Sequence, residues 1–286
     1  MPFEGWLIRS SDGAVWMVKG YEHPDDGHIA VPYHSDFPWH IDNKNVGGVS
    51  YRYLDCIGRE AYVVPRRYGT LIDPSDAIRR VTLPRGLSEL LDVLNPEWVG
   101  ITGSRALGTA KPSSDYDLLL YSNKPSELYN SLKDLAQEGR IAECEHETRY
   151  SKVKDTWSLD DFNVMHAFKL LDSCYKGIAY TLRLLRQVEE RGCTSFYRSL
   201  GWFEGVIYIN DIGEGFLVPA RYSVRLGFVE LTAYMLTWRT RYQELPPGRY
   251  LVRGLLQASG PDLYLVPDVW GYVKPLQVWA WKRDNN

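Results

Sequence analysis

The feature that most constrains the fold is a change of pattern along the chain. Between residues 84 and 195, helical and extended apolar patterns alternate, whereas residues 1–83 and 196–286 contain short apolar stretches separated by turn residues. Alternating helices and strands are typical of a mixed core, and short strands broken by Gly, Pro and Asp are typical of antiparallel modules. We therefore predict an α+β fold with three units: a β-rich N-terminal module (1–83), a mixed core (84–195) and a β-rich C-terminal module (196–286).

The spacing of apolar residues predicts the elements of the core. Residues 87–94 and 125–140 show helical spacing, and the apolar runs 98–102 and 117–121 are predicted as buried strands. A further helix is predicted for residues 158–176, because it opens on Ser-x-x-Asp, a pattern similar to a capping box.

Composition and charge exclude several classes of protein. Hydrophobic residues make up 44% and charged residues 24%, which is ordinary for a globular chain. With 33 basic and 36 acidic residues, the net charge of -3 excludes attachment to nucleic acid or anionic membrane by bulk charge, although a local basic groove stays compatible. No apolar run approaches the roughly 18 residues of a membrane helix. Residues 1–5 also lack the pattern of a signal peptide. We predict a cytoplasmic protein without membrane association.

The cysteines predict neither a metal site nor a disulfide framework. Cys56, Cys144, Cys174 and Cys193 lie far apart in the sequence, and no two of them form a Cys-x-x-Cys pair. This spacing supports neither a zinc knuckle nor a small disulfide scaffold. Reduced intracellular thiols are the expectation, and pairing would be expected only of a protein from a thermophile.

The chemically informative stretch runs from Gly103 to Asp117. Gly103 and Ser104 follow a predicted strand, where glycine allows the backbone to approach a phosphate closely and the serine hydroxyl supplies a donor. Asp115 and Asp117 stand two apart at the start of an extended run, so strand alternation places both carboxylates on one face. Two such carboxylates repel each other unless a cation lies between them, and Mg²⁺ is usually held by carboxylates and substrate phosphates. The stretch predicts metal-assisted phosphoryl or nucleotidyl transfer.

These residues resemble the signature of the DNA polymerase β-type nucleotidyltransferase superfamily, most closely its minimal nucleotidyltransferase domains. Gly103, Ser104, Arg105, Asp115 and Asp117 match that signature in residue type and spacing. The resemblance implies a mixed sheet with helices of the nucleotidyltransferase type. It implies that Asp115 and Asp117 are catalytic and hold Mg²⁺ or Mn²⁺, and that Gly103, Ser104 and Arg105 bind the nucleotide. The implied reaction moves a nucleoside monophosphate from a nucleoside triphosphate such as ATP to an acceptor hydroxyl on a nucleic acid, a protein or a small molecule.

The resemblance covers residues 84–150 and implies a third carboxylate on a following strand. Glu143, Glu145 and Glu147 would share one strand face, and one of them would be that ligand. Alternatively, the strand that contains Arg183 is the corresponding one, and an arginine stands where the carboxylate is expected. Catalysis would then be strongly impaired or would use a different base. An inactive nucleotidyltransferase fold that binds nucleic acid or a protein partner is therefore the second hypothesis.

Aromatic residues of the C-terminal module are compatible with an RNA or DNA acceptor. Residues 222–225 and 238–242 interleave rings with arginines, and stacking faces beside guanidinium groups suit single-stranded nucleic acid. A module of the OB-like type is a common host for such a surface. Cross-strand packing of the rings, with the arginines solvated, explains the same pattern without a ligand.

Overall fold

The structure is a computed structural model that describes residues 2–10, 13–33, 45–46, 48–144, 146–227, 231–268 and 270–279. Mostly antiparallel sheets and a small number of short helices make up these residues, which confirms the predicted α+β class. In this part of the chain, no helix is long and apolar enough to cross a membrane.

The N-terminal strands form one antiparallel sheet. Seven strands lie in the order β5-β6-β7-β4-β2-β1-β8, and the side chains of Trp16, Val18 and Val64 are buried on it. The short strand β3 stays outside this sheet. The strands are β1 (Leu7–Ser10), β2 (Val15–Val18), β3 (Glu22–His23), β4 (Gly27–Pro32), β5 (Asn45–Val46), β6 (Val49–Leu54), β7 (Arg59–Pro65) and β8 (Gly69–Ile72).

The middle of the chain forms a mixed sheet with helices. Five strands lie in the order β11-β12-β13-β10-β9, and β13 runs parallel to β10 while the other neighbours are antiparallel. The elements are α1 (Pro74–Arg79), α2 (Arg85–Leu94), β9 (Trp98–Ile101), α3 (Gly103–Leu107), β10 (Tyr116–Tyr121), α4 (Pro125–Gln137), β11 (Ile141–Ala142), α5 (His146–Ser151), α6 (Leu159–His166), β12 (Asp172–Tyr175) and β13 (Ile178–Leu185).

Apolar stripes on α2 and α4 create the core of this unit. Leu87 and Leu90 of α2, Leu132 of α4 and Leu118 of β10 are fully buried in one cluster. Each such side chain contributes roughly 1.5–3 kcal/mol relative to an exposed one. This packing fixes β10, and with it the residues at its start.

The predicted helix at residues 158–176 is correct at its start and wrong at its end. Ser158 and Asp161 form the capping box, but α6 stops at His166 and residues 172–175 form β12. The reason is a tight turn at Lys176 and Gly177, whose φ values are 50° and 75°. Two consecutive residues with positive φ join antiparallel strands with the correct twist, so this segment pairs with β13 instead of continuing as a helix.

The C-terminal strands close on themselves. β15 pairs with both β17 and β19, so that five strands form a ring in the order β15-β17-β18-β20-β19 in which only the β18–β20 pair is parallel. Outside the ring, β14 pairs with β3, β16 pairs with β13, and β21 pairs with β19. The elements are β14 (Arg191–Gly192), β15 (Arg198–Ile209), β16 (Leu217–Val218), β17 (Ala220–Leu226), β18 (Leu231–Thr237), a 3₁₀ helix (Thr240–Tyr242), β19 (Gly248–Ser259), β20 (Asp262–Val266) and β21 (Tyr272–Val278).

Buried polar contacts join the N-terminal sheet to the mixed sheet. The Glu4 carboxylate is buried and lies 2.9 Å from the Lys19 Nζ and 3.2 Å from the Arg183 Nη1. The Thr102 hydroxyl donates a 2.6 Å hydrogen bond to the Gly5 carbonyl. Because Thr102 directly precedes α3, residues near the N-terminus help to place the start of that helix.

The expectation of four separate thiols is wrong. Cys56 pairs with Cys193, and Cys144 pairs with Cys174, with Cα–Cα distances of 5.3 Å and 5.8 Å. The sequence separations are 137 and 30 residues, and the sheet pairings that bring the partners together are not visible in cysteine spacing.

Candidate active site

The residues of the Gly103–Asp117 stretch meet where β10 begins. Asp117 is the second residue of β10, and Asp115 directly precedes that strand. The Thr102 N–H donates a 2.9 Å hydrogen bond to the Asp117 carbonyl, so the end of β9 and the start of α3 lie beside the aspartates. The structure therefore brings Gly103 and the two carboxylates together.

Gly103 is required by two independent features of this turn. Its φ is 70°, a value that side chains with a Cβ rarely adopt, and a Cβ at this position would collide with the Asp117 carboxylate. The hydroxyl of Tyr33 would lie 3.1 Å from the same Cβ. The absence of a side chain lets the Asp117 carboxylate and the Tyr33 hydroxyl approach the turn.

Replacing Gly103 is therefore expected to lower the free energy of unfolding by more than replacing a glycine that has a positive φ but no close neighbours. Gly108 has φ 72° and no atom within 4 Å of an added Cβ, so Gly108→Ala should lower the free energy of unfolding by about 1 kcal/mol. Gly103→Ala should cost about 1–3 kcal/mol more, because Asp117 must also move. Denaturant unfolding of both variants measures the difference. Equal losses would contradict a role for the close approach of Asp117.

Tyr33 is a neighbour of the site that no sequence pattern indicates. Its partly buried position raises its pKa to about 12, and the charge of Asp117 adds to this, while Arg183 and a hydrogen bond with the Ser104 backbone oppose it. The hydroxyl is therefore protonated at neutral pH and lies over the Gly103–Ser104 turn. Tyr33 comes from the N-terminal sheet, so only the tertiary fold places it there.

The Asp117 carboxylate is difficult to ionise. Desolvation raises its pKa to about 6, and the negative charge of Asp115 contributes in the same direction. The positive charges of Arg183 and Lys152 lower the pKa but do not cancel the rise. The Lys152 Nζ lies 3.8 Å from an Asp115 carboxylate oxygen. A site where the charge of one carboxylate raises the proton affinity of its neighbour also attracts a metal cation.

Arg105 contacts the loop before β10. Its guanidinium donates hydrogen bonds to the Ser114 and Asp115 carbonyls and lies 3.5 Å from the centre of the Tyr116 ring. These contacts fix the backbone from which the Asp115 carboxylate projects. Binding of a nucleotide by Arg105 stays a prediction, since its Nε and Nη2 donors are used within the loop in this structure.

The predicted strand face of three glutamates is wrong. β11 ends at Ala142, Glu147 lies in α5, and Glu145 lies outside the described residues. The Glu143 carboxylate lies 3.3 Å from the His166 Nδ1. The segment turns into a helix after two strand residues, so the alternation on which the prediction rested does not continue.

The strand of Arg183 is the parallel neighbour of β10. Within β13, Thr181 lies opposite Asp117 and Arg183 lies opposite Leu119. Arg183 binds Glu4. The strand named in that alternative is therefore the neighbour of β10, but Thr181, and not Arg183, lies opposite Asp117.

Asp172 is a carboxylate near the site that sequence reasoning missed. The Thr181 hydroxyl lies 3.0 Å from an oxygen of Asp172 on β12 and 3.3 Å from an oxygen of Asp115. Asp172 also forms an ion pair with the buried Arg149. The predicted helix at 158–176 concealed this residue, and the Lys176–Gly177 turn was the signal that could have revealed β12.

The carboxylates fit a metal bound jointly with substrate phosphates. Among the described residues, no group of three or more His, Cys, Asp and Glu side chains is arranged to hold a metal ion. Asp115 and Asp117 supply two carboxylates, and Mg²⁺ is commonly held by one or two carboxylates completed by phosphate oxygens and water. The donor set therefore fits a magnesium site that the nucleotide completes.

Comparison with known proteins identifies the class of this part of the chain. Residues 85–163 match the family model of the nucleotidyltransferase domain, and the match is consistent with the polymerase β-type nucleotidyltransferase superfamily. The match confirms the resemblance that the Gly103–Asp117 stretch carries, and nucleotidyl transfer is the general activity that such a domain indicates. No curated protein and no solved structure matches the chain.

Proposed function

We propose that this protein is a metal-dependent nucleotidyltransferase that moves a nucleoside monophosphate from a nucleoside triphosphate to an acceptor hydroxyl. The observation that carries the proposal is the pair Asp115 and Asp117 beside the Gly103–Ser104 turn, with the pKa of Asp117 raised to about 6. Burying two carboxylates together is costly unless a cation compensates them. We assign residues 84–195 as the catalytic unit with a nucleotidyltransferase-type sheet, and the N- and C-terminal modules as its flanks.

In the proposed reaction, the acceptor hydroxyl oxygen forms a bond to the α-phosphorus. The bond from that phosphorus to the oxygen bridging the α- and β-phosphates breaks, pyrophosphate leaves, and the hydroxyl proton passes to solvent. Bound Mg²⁺ or Mn²⁺ supplies charge neutralisation on the phosphates. Asp115 and Asp117 hold the metal, and Gly103 and Ser104 bind the phosphates. Catalysis by such a site arises from positioning and electrostatics.

We assign a positioning role to Asp172. Its charge is compensated by Arg149, so it is poorly suited to serve as a third metal ligand. Through the Thr181 hydroxyl it is connected to the Asp115 carboxylate. Asp172 thereby orients Asp115, which is a proposed metal ligand, and does not itself touch the substrate.

The second candidate is an inactive nucleotidyltransferase fold that binds nucleic acid or a protein partner. The observation that favours it is the same compensation of Asp172 by Arg149, which leaves no third uncompensated carboxylate beside the pair among the described residues. Location in the cytoplasm stays a prediction under either function.

Calorimetric titration tests the proposed function directly. Each common nucleoside triphosphate is titrated into the wild type, with and without Mg²⁺, and into the Asp115→Asn, Asp117→Asn double variant. We expect binding that needs Mg²⁺ and is lost in the double variant, because the amides keep the shape and remove the charge. Failure of the wild type to bind any triphosphate would reject the enzyme and support the inactive fold.

The pKa of Asp117 predicts how nucleotide binding depends on pH. A proton competes with the metal for this carboxylate, so affinity for the magnesium-bound nucleotide should fall as the pH falls through about 6. The affinity at pH 5 is expected to be about tenfold weaker than at pH 7.5. Calorimetric titration at both pH values measures this difference in affinity. The residual affinity of Asp117→Asn should change far less over this interval, and equal pH dependence in both proteins would assign the effect to another group.

A further inference from the structure

A cleft of about 1490 Å³ opens beside the aspartates, lined by residues of all three units. The aspartates do not line it, but Lys152, which lies 3.8 Å from Asp115, and Arg183, on the strand next to Asp117, do. Small-molecule sites usually occupy about 300–1,000 Å³. The cleft therefore reaches two residues that lie next to the aspartates, and it has room for a larger ligand.

The lining of the cleft is basic although the whole chain carries a net charge of -3. Eleven Lys or Arg and four Asp or Glu residues line it, an excess of seven positive charges. Glu4, Glu214 and Asp115, from outside the lining, pair with five of the cations, and an excess of four remains. Within the described residues, no carboxylate is at ion-pair distance from Lys154, Arg191 or Arg239. Such a concentration of charge attracts a polyanion.

Two buried arginine N–H groups in the lining also lack an acceptor. In the described part of the chain, the Arg183 Nε and the Arg186 Nη2 have no hydrogen-bond partner. An unsatisfied buried donor costs about 1–3 kcal/mol, and more when it is charged. Phosphate oxygens are acceptors that match a guanidinium in charge and geometry.

Exposed aromatic rings line a groove that adjoins the cleft. This groove of about 420 Å³ shares Arg59 and Trp270 with the cleft and is also lined by Tyr53 and Trp202. The exposed fractions of Tyr53, Trp202 and Trp270 are 48%, 51% and 63%. Rings exposed to this extent beside cations stack on unpaired bases.

Strands of the C-terminal ring contribute residues to the lining of the cleft. Arg221 of β17, Leu236 of β18 and Tyr264 of β20 line the cleft. Barrels of the OB type bind oligonucleotides on the face of their second and third strands, and the second and third strands of this ring are β17 and β18.

We propose that the cleft and groove bind a single-stranded nucleic acid, whose terminal hydroxyl is the acceptor at the aspartates. Cations beside the site contact the backbone phosphates, and Trp270 and Trp202 stack on bases further from the end. The binding site is argued from the cleft alone, whereas the identity of this strand as the acceptor rests on the proposed function.

Fluorescence anisotropy with labelled oligonucleotides tests the binding site. The probes are a 15-nucleotide single-stranded RNA, the DNA of the same sequence, and the corresponding duplex, each bound to the full chain over a range of salt concentrations. The charge variant is Lys154→Gln, Arg191→Gln, Arg239→Gln. Its matched control is Arg67→Gln, Arg80→Gln, Lys133→Gln, which removes three cations that do not line the cleft.

We expect a single strand to bind more tightly than the duplex, with the RNA and DNA arms showing which sugar is preferred. The charge variant should reduce the slope of log affinity against log salt by about 2, because each phosphate contact on a single strand contributes about 0.7. The control variant should keep the wild-type slope. A loss of slope cannot result from partial unfolding alone, so this readout is specific for phosphate contacts.

The stacking part of the proposal has its own variant. Trp270→Ala should weaken single-strand binding about tenfold. Trp279→Ala, which removes a similarly exposed ring that lies outside the cleft and groove, should leave it unchanged. Inorganic polyphosphate that competes as well as the oligonucleotide, together with a silent Trp270→Ala, would overturn the proposal in favour of a site for charge alone.

The two proposals can fail separately. Asp115→Asn, Asp117→Asn should retain oligonucleotide binding, because neither residue lines the cleft. Magnesium-dependent nucleotide binding without any oligonucleotide binding would overturn the nucleic-acid cleft and leave the enzyme intact. Oligonucleotide binding without nucleotide binding would support the cleft as a site and remove its role as the acceptor site.

Discussion

Asp117→Asn is expected to lower the rate of nucleotidyl transfer by about a thousandfold or more and to leave the protein at least as stable as the wild type. The amide has the shape of the carboxylate but cannot supply the negative charge that holds a metal cation. Steady-state kinetics with a preferred triphosphate and an excess of acceptor measures the loss. Retention of more than a tenth of the wild-type rate would refute the assigned role of Asp117.

The expected gain in stability follows from the direction of the Asp117 pKa. The pKa rises from 3.8 to about 6 on folding, so the folded protein holds the proton more tightly than the unfolded chain. Stability from this group is therefore full at low pH, falls as the pH rises from about 4 through 6, and is absent at pH 8. Asparagine does not ionise, so the variant should unfold at a higher temperature than the metal-free wild type at pH 8.

Asp172→Asn is the matched control for this result. It changes a carboxylate that reaches Asp115 only through the Thr181 hydroxyl, so a loss of about ten- to a hundredfold is expected. Because Asp172 is assigned to positioning, the apparent Mg²⁺ affinity should weaken while the pH dependence set by Asp117 stays. A loss as large as that of Asp117→Asn would instead identify Asp172 as a third ligand.

Glu244→Ala is expected to be the most destabilising single substitution at the contact between the C-terminal unit and the mixed sheet. Glu244 is 1% exposed, and its carboxylate accepts hydrogen bonds from the Leu170 N–H at 3.0 Å, the Leu171 N–H at 3.1 Å and the Tyr129 hydroxyl at 2.9 Å. Alanine would leave three buried donors without an acceptor. We expect a loss of about 3–5 kcal/mol in the free energy of unfolding.

Thermal unfolding of three variants separates this effect from a general loss of charge. For a chain of this size, the loss corresponds to roughly 10 °C in Tm. Glu244→Gln keeps one acceptor oxygen and should lose less. Glu204→Ala removes a carboxylate that is 55% exposed and bonded to the Tyr272 hydroxyl, and should change Tm by about 1 °C or less. Similar shifts for Glu244→Ala and Glu204→Ala would show that the buried hydrogen bonds are not what stabilises this contact.

The sequence could predict the part of the site that is local in the chain. The turn at Gly103, the start of β10 and the apolar stripe of α2 depend on residues within about fifteen positions, where apolar spacing and glycine chemistry determine the backbone. Tyr33 and Asp172 could not be predicted in the same way, because they reach the aspartates only through the pairing of sheets and through a hairpin turn that was interpreted as helix. The disulfide pairs escaped prediction for the same reason.

The position of β13 has a consequence for dividing this chain experimentally. The segment that matches the nucleotidyltransferase family ends at residue 163, before β12 and β13 begin. A fragment cut at that residue would lose the parallel partner of β10, so the backbone N–H and C=O groups next to the two aspartates would become an open sheet edge. An autonomous folding unit that contains this site must therefore extend past Leu185, and must also keep Gly5, whose carbonyl accepts the hydrogen bond of Thr102.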